Sequence, residues 1–243
     1  MSDPLEEVRG AVAAVARILA RAGLVEAFGH VSARLADGFV ITATSPLGGA
    51  SKESVHVLEN LGDSSPREGV PLEAALHAAV YLARPDIHAV CRTHSRFVIA
   101  LGARGQVPPI LHGLGGLAGT VAWYEGSDLI TEPSHAEAVA DALGDCDCLL
   151  LRANGAIATG ATLAEATVRA WYLEERCRVF ADAGFDGRRL DEMELTSRSR
   201  WWAAERERAW SWLRWRFREE EGAREQLPSS PCDRGGHPGE VAG

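Results

Sequence analysis

The strongest constraint on how this chain folds is the dipeptide Asp37-Gly38, set between two short apolar runs at residues 31–35 and 39–42. Asp-Gly readily supplies the backbone angles of a tight turn between antiparallel strands, so the segment predicts a β-hairpin. Elsewhere the chain alternates helical and strand patterns, which alone would suggest parallel strands joined by crossover helices. A hairpin inside such a chain excludes a purely parallel sheet, and the expectation is a single α/β sandwich.

Val8, Val12, Val15, Ile18 and Leu19 recur at three and four residues, the period of an amphipathic helix over residues 4–22. Residues 43–70 are rich in Ser, Gly and Pro and read as loop with possible short strands. A helix is predicted over 71–83 with Pro71 in its first turn, then a strand over 87–93 and a helix over 95–103. Residues 105–134 read as loops with one or two short strands, followed by a helix over 135–143 and a strand over 148–152. Asn154-Gly155 marks a turn, and Thr162 with Glu165 has the spacing of a capping box opening a long helix to about residue 183. Five of the seven tryptophans fall in residues 191–221, which predict one or two amphipathic helices packed on the core or on a neighbouring subunit. The organisation expected is a main domain over 1–190, a helical Trp/Arg-rich extension over 191–226 and a disordered tail over 227–243.

Charge and composition narrow the function classes. The 243 residues include 25 Lys and Arg against 34 Asp and Glu, a net charge of −9, which argues against binding nucleic acid or a membrane surface. Arg9, Arg17 and Arg21 interrupt the first apolar segment, no signal-peptide pattern precedes it, and a cytoplasmic protein is expected. Lys52, the one lysine, sits in a polar stretch where nothing suggests burial, so Schiff-base chemistry is disfavoured. Five cysteines with no CxxC pair suggest small buried hydrophobes rather than a disulfide framework or a structural zinc site.

Three segments place chemistry-bearing residues where strands meet loops: residues 29–34, beginning Gly29-His30; Glu73 together with Arg92, His94 and Ser95; and residues 152–155, with Asn154. Each has a plainer alternative. Glu73 could be an exposed helix glutamate, His94 a strand-end histidine bonded to backbone, His30 an organiser of its turn, and His77 a packing histidine.

On residues 29–34, on Glu73 with His77 and Tyr81, on residues 89–95 and on residues 149–156, the chain resembles the class II aldolase/adducin family across residues 5–183. That family includes L-fuculose-phosphate aldolase and L-ribulose-5-phosphate 4-epimerase. The resemblance implies a three-layer α/β/α sandwich with a mixed, largely antiparallel sheet, usually a homotetramer with active sites at subunit interfaces. It also implies a zinc or similar ion held by His-x-His and a third histidine. Those positions are here Arg92, His94 and Asn154. Arginine cannot ligate, and asparagine offers zinc only a weak oxygen. His94 is then the single ligand carried over if zinc, iron or manganese is bound, and the cofactor is open, including none at all. Of the serine pair that would help hold a substrate phosphate, the positions are Val70 and Pro71, which disfavours phosphorylated sugars.

The resemblance thus implies a lyase acting on a non-phosphorylated carboxylate or keto acid. Decarboxylation, dehydration and retro-aldol cleavage all fit, each through an enolate-like intermediate. In this expectation Arg92 grips the substrate's anionic group and Glu73 and His94 move protons. Asn154 donates to the developing oxyanion, and His30, Ser45 and His112 help bind substrate. Two alternatives stand beside it: a metal-dependent lyase or oxygenase of the same family, and a non-catalytic adducin-like scaffold.

Overall fold

The computed structural model of the protein describes residues 3–218 except 63, 64 and 66; the tail expected to be disordered lies outside the described residues. Seven strands form one sheet in the order β3-β2-β1-β4-β7-β6-β5, with β1 His30–Arg34, β2 Phe39–Thr42, β3 Val55–Leu58, β4 Ala89–Thr93, β5 Val121–Tyr124, β6 Cys148–Leu151 and β7 Ala156–Gly160. Only β5 and β6 run parallel; the other neighbours are antiparallel, the mixed sheet that the hairpin required. Leu35 N–H closes the Asp37-Gly38 turn on the Gly38 carbonyl at 2.8 Å.

Strand alternation divides the core in two. Val31, Ala33, Ala89, Cys91, Ala156 and Ala158 face α1 (Pro4–Arg21), α3 (Arg96–Arg104) and α5 (Leu163–Asp182). Phe39, Ile41, Val90, Leu149, Leu151 and Ile157 face α2 (Ala74–Ala83) and α4 (Pro133–Leu143). The result is the three-layer sandwich. Cys91, Cys148 and Cys177 are buried free thiols, as small apolar residues would be. Lys52 is half exposed and pairs with Glu6 at 3.1 Å.

Two expectations are adjusted. The second helix begins at Ala74 rather than Pro71, because Pro71-Leu72-Glu73 forms a turn closed by Ala74 N–H on the Pro71 carbonyl. Glu73 therefore precedes the helix instead of lying on it. The C-terminal tryptophans lie on one unbroken helix, α6 (Glu192–Arg216), opened by a capping box between Asp191 and Glu194. Its Ala209 and Leu213 bury against Ile18, Leu117 and Val168, while Trp201 and Trp215 stay exposed. No helix among the described residues is long and apolar enough to cross a membrane.

Candidate active site

The end of β4 and the start of β1 lie side by side, with His30 opposite Arg92 and Ser32 opposite Val90. Cross-strand partners share a face, so His30, Ser32 and Arg92 all project toward α2. Arg92 is fully buried among them, a position that demands a partner for its charge. The partner is Glu73, itself buried: Arg92 Nε donates to Glu73 Oε2 at 3.2 Å. Arg92 Nη1 donates to the carbonyls of Thr93 at 3.0 Å and Asn154 at 2.7 Å, which ties the 152–155 turn to the end of β4. Gly155 makes that approach possible. It has φ +81°, and a Cβ there would lie 2.1 Å from the Thr93 carbonyl oxygen.

Above this pair opens a cavity of about 460 Å³. Glu73, His30, His94 and Asn154 form its polar end, and Ala27, Phe28, Pro71, Leu72 and Leu129 its apolar walls, with Thr44 the one hydroxyl. Among the described residues no arginine or lysine lines it. Glu73 Oε1 and the Nδ1 atoms of His30 and His94 are buried without hydrogen-bond partners, and His30 Nδ1 lies 3.9 Å from Glu73 Oε2.

The histidines are neutral near pH 7. Burial, then the nearby Arg92 charge, pushes His94 down to about 4, partly offset by the polar groups of the Phe28 backbone and the Asn154 side chain beside it. Burial, and then the cost of adding a proton beside His77, Arg92 and His94, also holds His30 well below the usual histidine range. His77, wholly buried, is lowered to about 3 by desolvation and Arg92. Its Nδ1 lies 2.7 Å from Ser32 Oγ, which lies 2.6 Å from the Tyr81 hydroxyl. Burial raises the Tyr81 pKa, so the phenol stays protonated and the three groups form one buried hydrogen-bonded chain. The other ring nitrogen of His77, Nε2, is buried without a partner.

The residues singled out from sequence divide accordingly. Glu73, His94, His30 and Asn154 are brought together at the polar end of one cavity. Arg92 lies beneath the cavity rather than in its wall. Its Nε and Nη1 are already engaged and only Nη2 is without a partner, so neither edge offers two free nitrogens for a paired grip on the substrate's anionic group. Ser45 is exposed outside the wall, where its neighbour Thr44 takes part instead. His112 lies elsewhere, near Glu175 and Arg176. The Ser32–His77–Tyr81 chain went unread, although alternation from His30 to Ser32 on the strand and the His77, Tyr81 spacing on a helix were available signals. Nothing in the sequence pointed to Leu129.

The donor set does not fit the metal implied by the family resemblance. Among the described residues no three His, Cys, Asp or Glu side chains converge as an ion would require, and the guanidinium of Arg92 brings a fixed positive charge to the end of β4.

Residues 10–181 match the Class II Aldolase and Adducin N-terminal domain. A 3,4-dihydroxyphthalate decarboxylase from Terrabacter sp. is 29% identical over 196 residues, covering 74% of this chain and 82% of that protein. Human beta-adducin is 30% identical over 111 residues, 44% of this chain but only 15% of adducin's length. An aldolase II superfamily protein from Pseudomonas syringae shares the fold with a TM-score of 0.75 at 23% identity, covering 89% of this chain and 94% of that one. With well over half of its length matched, the chain belongs to the class II aldolase and adducin family.

Proposed function

We propose that the protein is a lyase that decarboxylates a non-phosphorylated, hydroxyl- or carbonyl-bearing acid without a metal ion. The observation that carries this is the cavity itself: one polar end, Glu73 with His30, His94 and Asn154, on walls that are otherwise apolar save for Thr44 and hold no arginine or lysine among the described residues. A phosphate dianion would find no positive side chain in these walls, whereas phosphate sites rely on arginine, lysine or convergent backbone donors. An apolar surround also disfavours a carboxylate relative to the charge-dispersed state on the way to neutral carbon dioxide. Similarity to a decarboxylase of 3,4-dihydroxyphthalate supports the same reaction class.

The chemistry has simple requirements. In a hydroxylated aromatic acid the hydroxyl gives up its proton, a proton adds to the ring carbon that bears the carboxylate, and carbon dioxide then leaves while its bonding pair returns to the ring and the phenolate oxygen. Glu73 takes the proton of the substrate hydroxyl through its free Oε1 and returns it to the carbon. The Asn154 amide and neutral His94 hydrogen-bond the oxygen on which charge collects. Arg92 acts through Glu73: its hydrogen bond fixes the carboxylate in place, and its bond to the Asn154 carbonyl fixes the turn that presents the amide. It is a positioning residue here.

The test is to offer the protein hydroxylated benzoates and phthalates beside phosphorylated ketoses, following carbon dioxide and aldehyde separately. Carbon dioxide release from an aromatic acid is expected, and Glu73→Gln should lower kcat about 10²- to 10⁴-fold. Cleavage of a phosphoketose with no carbon dioxide from any acid would sink the proposal.

A further inference from the structure

A second cavity, sharing no residue with the first, opens between the segment following α3, the last turns of α5 and the loop before α6. Its volume is about 420 Å³. Arg176 lines it, with 8% of its surface exposed and no acidic partner among the described residues. Its one hydrogen bond runs from Nη1 to the Gly119 carbonyl at 3.2 Å, and its Nε is buried without a partner. His112, close enough to sense the Arg176 charge, also buries an unpartnered nitrogen, Nε2. The nearby acid Glu175 is held by Arg178 instead. A second cation, Arg189, stands exposed in the wall. Against these two guanidinium groups the wall offers one carboxylate, Asp186, which accepts from the Gly187 N–H at 2.7 Å. A cavity with a net positive wall is unexpected in a chain of net charge −9.

The remaining surface defines the ligand. Phe180 and Phe185 meet edge to face at 5.9 Å and present an aromatic wall, and the Arg104 guanidinium lies 3.9 Å over the outer ring. Phe185 holds its place with φ +60°, a conformation that a bulky residue adopts only under constraint. Pro108 and Pro109 supply no N–H donors, so hydrogen bonding falls to the arginines and Gln106. With Arg104 taken up by the Phe185 ring and Gln106, the two wall arginines offset by one acid suit a carboxylate, and the aromatic wall suits a ring.

We propose that this cavity binds a small ring-bearing carboxylate, with its carboxylate on Arg176 and Arg189 and its ring against Phe180 and Phe185. The site is separate from the Glu73 cavity and does not depend on the reaction proposed there.

Titration calorimetry of the full chain with benzoate, acetate and inorganic phosphate tests this. Benzoate is expected to bind with a Kd on the order of millimolar, at least about tenfold tighter than acetate or phosphate. Arg176→Met, which keeps the packing of the stem, should weaken benzoate about tenfold or more, and Arg189→Ala, at an exposed position, by about threefold or more. Glu73→Gln should leave this binding unchanged. Should Arg176→Met not fold, Arg189→Ala decides alone. Benzoate binding that is undetectable, that survives both arginine changes, that is lost only in Glu73→Gln, or that is weaker than phosphate binding would overturn the site.

Discussion

Two buried arginines in this molecule have opposite surroundings. Arg92 spends its charge internally, on the Glu73 carboxylate and two backbone carbonyls. Arg176 makes one hydrogen bond, to a carbonyl, and no ion pair among the described residues. Burying a guanidinium is costly in either place, but at Arg92 the fold itself offsets the cost. The contrast separates a cation that organises the site from one left open toward a cavity.

The largest expected effect breaks this contrast or upholds it. Arg92→Met leaves Glu73 buried and unpaired and should cost about 3–5 kcal/mol of stability in a urea melt, whereas Arg176→Met should be close to neutral or stabilising. Equal costs would mean that the two arginines do not differ in the way described. Adding Glu73→Gln to Arg92→Met should recover part of the loss, since the uncompensated charge is then gone.

The next effect is on pH. His77 and His94 have folded pKa values lowered to about 3 and about 4, below the ordinary histidine value of about 6.5. Between those limits the unfolded chain binds protons that the folded chain does not. Stability is therefore fully present above about pH 6.5 and falls on acidification, by about 1.4 kcal/mol per pH unit for each histidine. Melts from pH 7.5 to 4.5 check this, and a flat profile would contradict it. The Arg92 charge also depresses His94, so Arg92→Met should move the acid limb of kcat/KM upward from near pH 4.

A smaller effect belongs to the buried hydroxyl chain. Ser32→Ala strands both the Tyr81 O–H and His77 Nδ1, and should cost about 2–3 kcal/mol by the same melts. It should change kcat by less than Glu73→Gln does, because neither stranded group is part of the cavity wall.

Much of this was legible in the sequence where the signal is local. Asp37-Gly38 announced the hairpin. Thr162 and Glu165 announced the start of α5, where Thr162 Oγ1 accepts from the Glu165 N–H and Glu165 Oε2 from the Ala161 N–H. Asn154-Gly155 marked the turn that reaches β4. What could not be read depends on contacts between distant segments. Leu129 enters the cavity wall from a loop with no pattern of its own. Glu174, on α5, caps the start of α3 through Ser95 Oγ and the N–H groups of Phe97 and Val98, a link across nearly 80 positions that no periodicity encodes. The partner of Arg92 was likewise not legible. A strand residue's face follows from alternation, but whether its charge meets a ligand or a neighbour depends on where Glu73 lands.

The central claim, that the Arg92–Glu73 pair stands where a metal would and that the site works without one, is tested most directly by decarboxylation after metal removal. Protein stripped with chelator and verified metal-free by elemental analysis should release carbon dioxide from its aromatic acid at the untreated rate, with no gain from added zinc, iron or manganese. Activity that disappears on chelation and returns with any one of these ions would contradict it.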